Sequence, residues 1–255
     1  MKQFIDYFWY QEGFSYDPLE GQTLSTYHLI MFLLCIFSFI LLWIIGKKIN
    51  NKNKMLIAIA IILLVLESLR VINLLAISDV SFIGALSFHL CSIGVYLMII
   101  AGLFRKKWLF EIVILHALIG APLAIIIPLG ILPWYNQFSF LPMQSFLTHT
   151  ILLFVIIYAW KYKFFDVSYK RFYIPAISIL LSAVVAYVMS NVNLKYQTGG
   201  PINFFWTRYK DPLFEKYISL PHPYYFLVIL GLLYATGLLG FLILKNLEKM
   251  KLIRK

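Results

Sequence analysis

The chain reads as an all-α, polytopic membrane bundle of about seven transmembrane helices, and three observations predict this. Hydrophobic residues fill 62% of its 255 positions and charged residues only 13%, against about 45–50% and about 25% in soluble domains. The apolar residues fall in a near-continuous succession of runs of about 20, the length that crosses a hydrocarbon core at roughly 1.5 Å per residue. Lys and Arg gather in short clusters between the runs. One water-soluble core would not hide that much apolar surface, whereas lipid is itself the apolar solvent. A single membrane domain, residues 1–255, is expected.

Each span is bounded by its own signals. The first, 27–46, stops at Lys47-Lys48, and the second, 55–77, starts after Lys52 and Lys54. The third, 82–104, ends at Arg105-Lys106-Lys107, where the fourth, 108–131, begins. That fourth helix holds Gly120, Pro122, Pro128 and Gly130, which predict a kink and carbonyls freed for other partners. The fifth, 143–160, is short, so an extension at one end is expected. The sixth, 172–192, follows Lys170-Arg171, and the seventh, 222–244, runs into a tail rich in lysine. Between spans, the uncharged stretch 132–142 carries Pro133, Trp134 and Tyr135, residues suited to a membrane interface. The long connection 193–221 is rich in aromatics, among them Tyr196, Phe204, Trp206 and Tyr217. It is expected to lie on the membrane surface or fold back as a lid, a plain interfacial anchor being the alternative.

Loop charge sets the expected orientation. Sixteen of the 22 Lys and Arg fall on one side of the alternating spans and five on the other, with Arg70 left inside a helix. Basic loops stay cytoplasmic, so the N-terminus is expected outside, the C-terminus in the cytoplasm, and the chain in the cell membrane. The segment Met1–Asp6 lacks the basic-then-apolar order of a signal peptide, so the first span is expected to drive insertion.

The net charge of +11 is explained by these loops, which also face anionic lipid heads; it is not a nucleic-acid footprint. Membrane lipids are the expected partners, and no cofactor is expected. Cys35 and Cys91 both lie inside apolar runs and do not read as halves of an extracellular disulfide or of a paired-cysteine metal site.

An ionisable group at the centre of a membrane helix costs roughly 2.5–3.5 kcal/mol on insertion scales, so each one needs a reason. In the orientation above, the outer half holds His28, Arg70, Asn73, His89, Cys91, Gln144 and His149, with Glu67 near mid-depth. Four helices thus aim polar groups at one level, the pattern of a buried site. Bland readings stand beside this. Glu67 and Arg70, three apart, would neutralise each other; His28 would be an interface residue; His89 would be packing glue; Cys35 would be a small core hydrophobe. Glu111 and His116 lie in the opposite half.

His89 and Cys91, two residues apart, stand about 200° apart around a regular helix, so one cleft takes both only if the helix breaks there. A buried thiol needs a base to become a nucleophile. For Cys91 it must come from another helix, and His149 lies at matching depth. His89 then faces a different partner, Glu67 being the candidate. A metal site would need three or four ligands at spacings that are missing.

These residues resemble the bacterial YwaF-type integral membrane proteins and their eukaryotic relative, transmembrane protein 164. The likeness rests on His28-Leu29, Glu67, Phe88-His89-Leu90-Cys91-Ser92, Phe110-Glu111-Ile112 and Gln144 through His149. It continues with Asn203-Phe204-Phe205, Lys210, Pro212 and Pro221-His222-Pro223-Tyr224. Where many members carry an aliphatic-proline pair before His-Leu-Cys, this chain has Ser87-Phe88. The resemblance implies a phospholipid acyltransferase with Cys91 as nucleophile and His149 as base. Asn203 or backbone amides of a broken helix would steady the oxyanion. Two other readings are open: a transporter or lipid carrier with Glu67, Arg70, His89 and His149 along a polar pathway, or a structural membrane protein without catalysis.

Overall fold

The computed structural model describes residues 2–9, 25–77, 80–128, 135–196, 204, 219–221 and 224–249. Among them the regular elements are all helical: α1 (Lys2–Phe8), α2 (Thr26–Lys48), α3 (Lys52–Ile77), α4 (Phe82–Leu86) and α5 (Leu90–Phe104), then α6 (Lys107–Leu115), a π-helical turn (His116–Gly120), α7 (Ala121–Ile126), α8 (Phe140–Lys161), a short 3-10 turn (Tyr169–Arg171), α9 (Tyr173–Tyr196) and α10 (Tyr224–Lys249). Among the described residues six stretches are long and apolar enough to cross a membrane: α2, α3, the run Lys107–Ile126, α8, Tyr169–Val192 and α10.

The seventh expected span differs. The run 82–104 divides into the short α4 and the 15-residue α5, about 22 Å of helix, less than a hydrocarbon core of about 30 Å. Composition alone does not reveal the division, because Ser87, Phe88 and His89 interrupt an otherwise apolar run.

The fourth span bends where its prolines and glycines predict. Pro122 has no N–H, and its ring would strike the carbonyl four residues earlier, that of Leu118; the π-helical turn His116–Gly120 spans that position. α7 then ends at Ile126, just before Pro128; Gly130 lies outside the described residues. α8 starts at Phe140, so the short fifth span extends at its N-terminal end.

α8 is the hub. Leu152, Phe154, Ile156, Ala159 and Trp160 on it are all completely buried, and it packs on α2, α3, α5, α6, α7 and the π-helical turn. α2, by contrast, presents Leu33 and Phe37 outward at 64% and 63% exposure, as a lipid-facing helix does. At the basic end the hairpin of α2 and α3 is closed by Lys52. Its Nζ donates to the carbonyls of Gly46 (2.9 Å), Lys47 (3.1 Å) and Ile49 (2.5 Å) and lies over the Tyr162 ring. At the opposite end the short α1 is tied down by Asn73, whose Nδ2 donates to the Trp9 carbonyl at 2.7 Å.

Candidate active site

The interruption between α4 and α5 organises the site. Ser81 starts α4 by accepting the Gly84 N–H at its Oγ (3.0 Å), and Ser87 ends it with a φ of 56°. A side chain in that left-handed region costs about 1–2 kcal/mol, so neighbours must hold it. The Arg70 guanidinium donates to the Leu86 carbonyl (3.0 Å), the Tyr96 hydroxyl to the Ser87 carbonyl (3.4 Å), and the Ser92 hydroxyl to Ser87 Oγ (3.1 Å). His89, extended at φ −67° and ψ 157°, stands at the N-cap of α5.

Cys91 is therefore the second residue of a helix. First-turn amides have no partner within the helix, and the positive end of the helix dipole favours an anion there. Cys91 is partly exposed and free of any disulfide. Behind it runs the π-helical turn: a Cβ added at Gly120 would lie 3.4 Å from both Cα and Cβ of Cys91. The thiol and the His149 imidazole are direct neighbours and interact electrostatically. Nδ1 of His149 is 2.6 Å from the Ser145 carbonyl. A carbonyl only accepts, so Nδ1 carries the proton and Nε2 carries the lone pair. Nε2 is buried and has no hydrogen-bond partner among the described residues. The unbroken helix thus presents an imidazole in a fixed tautomer, and the broken one presents a thiol in a first helical turn.

A family model described as the TMEM164 family matches residues 23–242. The chain belongs to the TMEM164 family. No curated protein and no solved structure matches it. The match spans α2 through most of α10, so the broken helix and the α8 histidine both lie within the part that defines this TMEM164-family membrane protein.

The remaining candidate residues of this TMEM164-family chain divide by what they touch. Arg70 binds both oxygens of Glu67, Nε to Oε2 at 2.9 Å and a terminal nitrogen to Oε1 at 2.6 Å, so Glu67 is paired with Arg70 and not with His89. The His89 ring packs edge-on against Phe204, centroids 5.6 Å apart, and Phe88 does the same at 5.4 Å. Phe204 is buried, its N–H donating to Ser190 Oγ at 3.0 Å. Gln144 donates to Thr148 Oγ1 (3.0 Å) and to the Leu66 carbonyl (3.4 Å), tying α8 to the turn of α3 that carries Glu67 and Arg70. His28 is not part of this cluster: its Nε2–H donates to the Ile125 carbonyl at 2.8 Å and fixes α2 to α7. Asn203, Phe205, Trp206, Tyr217, Pro133 and Trp134 lie outside the described residues.

Sequence reasoning missed Tyr96, Ser87 and Ser92 as participants. A hydroxyl inside an apolar run has many harmless uses, and only the break gives these three a common purpose. Glu111 and His116 lie elsewhere in this family member: Glu111 pairs with Arg171 at 2.5 Å, and His116 Nε2 sits 2.8 Å from Ser182 Oγ. An apolar groove of about 760 Å³ runs between α2, α8 and α10, lined also by Leu118 of the π-helical turn, and does not include Cys91 or His149. Among the described residues no three His, Cys, Asp or Glu side chains stand close enough to hold a metal ion.

Proposed function

We propose that the chain is a lipid acyltransferase that works through a thioester on Cys91. The observation that carries this reading is the neighbouring thiol and imidazole on two different helices, the thiol in the first turn of α5 and the imidazole with its Nε2 lone pair left available. Membership of the TMEM164 family supports it, since acyl lipids are the concentrated carbonyl compounds around a membrane protein.

The steps follow from these groups. His149 Nε2 takes the thiol proton as Cys91 Sγ attacks the ester carbonyl of an acyl lipid. Negative charge moves to the carbonyl oxygen, against first-turn amides of α5. The C–O bond then breaks, the imidazolium returns its proton to the departing lipid hydroxyl, and the acyl group remains as a thioester. A second hydroxyl, deprotonated by His149, attacks that thioester and expels the thiolate, which takes the proton back from the imidazolium. The same two groups serve both halves, with no net change of charge.

Basic loops suggest the setting. With sixteen Lys and Arg at one end of the spans held cytoplasmic, the N-terminus is outside, Cys91 works in the outer leaflet of a cell membrane, and the acceptor arrives from that leaflet. Mass spectrometry of protein purified from native membranes is the direct test: an acyl mass on the peptide containing Cys91, released by neutral hydroxylamine and missing from Cys91→Ala. An acyl-free Cys91 under turnover conditions, with Cys91→Ala as active as wild type, removes the proposal.

A further inference from the structure

We propose that Arg70 is a positioning residue for Cys91: by gripping the Leu86 carbonyl it holds the helix open at Ser87–His89 and keeps the thiol in the first turn of α5, facing His149. This rests on the acyl-transfer reading for its meaning, but the geometry behind it is separate.

A mid-membrane Arg–Glu pair three residues apart needs no third partner, since each cancels the other's charge. Here the guanidinium does more. Beyond the two bonds to Glu67 it reaches 16 residues along the chain to the Leu86 carbonyl (3.0 Å) and approaches the Tyr96 hydroxyl (3.4 Å). The Leu86 carbonyl is an acceptor that an unbroken helix would spend on the N–H of residue 90. An unsatisfied carbonyl in a lipid-like interior costs several kcal/mol. Removing its partner therefore favours rejoining α4 to α5, and Tyr96 on the Ser87 carbonyl acts in the same sense. A rejoined helix would deprive Cys91 of free amides and helix-end field and would turn its side chain away from His149.

Charge acts alongside geometry. Arg70 from α3 and His149 from α8 interact electrostatically with Cys91, while Glu67, Tyr96 and His89 interact with Arg70. Arg70 is the permanent cation among them. A fork of five N–H donors serves Glu67 and a carbonyl together, which a lysine ammonium does not reproduce.

The test reads the thiol without any acyl substrate. In a Cys35→Ala background, alkylation of Cys91 by iodoacetamide is followed against pH by intact mass. Arg70→Gln is expected to slow alkylation at pH 7.5 by roughly tenfold or more and to move the midpoint upward by about one pH unit. Glu67→Gln/Arg70→Gln is expected to show the same loss, and it carries the test should Arg70→Gln fail to fold because of the stranded carboxylate. Arg70→Lys is expected to recover only part. A wild-type profile in the double variant would mean that Arg70 merely neutralises Glu67, and full recovery with lysine would mean that charge alone matters; either overturns the proposal. An absent acyl adduct alongside the expected alkylation results would remove the acyl-transfer reading and leave the role of Arg70 standing.

Discussion

The two helices that bring thiol and imidazole together are built in opposite ways. α8 is continuous from Phe140 to Lys161 and, with Lys107–Ile126, is one of the two most buried spans among the described residues, with Phe154, Tyr158 and Trp160 enclosed. α5 is the second piece of an interrupted run, and its residue Cys91 is only partly covered. A base needs depth, a fixed ring and one free nitrogen, all of which a regular helix supplies through the Ser145 carbonyl one turn back. A nucleophile gains from free amides and a helix end, and only a broken helix offers those inside a membrane. In the acyl-transfer reading, one helix serves by its regularity and the other by its irregularity.

Substitutions separate these roles, beginning with the largest effect. Replacing the base, His149→Ala, is expected to lower the rate of acyl-adduct formation on Cys91 by about 10²–10⁴-fold, read by time-resolved mass spectrometry, while the protein remains folded. Truncating the hub, Leu152→Ala, is expected to cost about 2–5 kcal/mol of stability. It should appear as a lower melting temperature in detergent, with Cys91 reactivity kept below that temperature; an unchanged melting point would mean that α8 is not the hub.

Two smaller changes probe the break. Ser87→Val places a branched side chain at a φ of 56°, where Ser87→Gly is at ease. Val is expected to destabilise by about 1–3 kcal/mol and to slow Cys91 alkylation; Gly should match or slightly exceed wild type in both. Equal behaviour of Val and Gly would show that the break is not held at Ser87. The smallest effect is expected from His28→Ala. Losing the bond to the Ile125 carbonyl should lower stability by about 1 kcal/mol, as interhelical hydrogen bonds in membranes do, and leave adduct formation intact. A large loss of adduct in His28→Ala would bring His28 into the site.

How much of this was legible beforehand follows from the solvent. Runs of apolar residues separated by Lys and Arg give the helices directly, and α2, α3, α8, α9 and α10 lie where the spans were expected, to within five residues at either end. Which face of each helix is buried was not legible. Leu33 on α2 faces outward and Leu152 on α8 faces the core, yet both are leucine, because lipid and protein interior ask for the same chemistry. Pro122 signalled the distortion of the fourth span. The break in the third had a weaker signal, the residues Ser87, Phe88 and His89 within an apolar run, and the expected pairing of His89 with Glu67 gave way to the stronger fork of Arg70.

The sequence by itself determined a multi-pass helical membrane protein, the end of the bundle at which its cations collect, and the residue types able to carry out thiol chemistry. These depend on counts and one-dimensional spacing, and a bilayer reads both directly. Tertiary structure decided that α5 starts one residue before Cys91, that the His149 ring stands beside the thiol, and that Arg70 reaches the Leu86 carbonyl. Those outcomes depend on which backbone groups a neighbouring helix leaves satisfied, a competition among distant partners that no local stretch of sequence encodes.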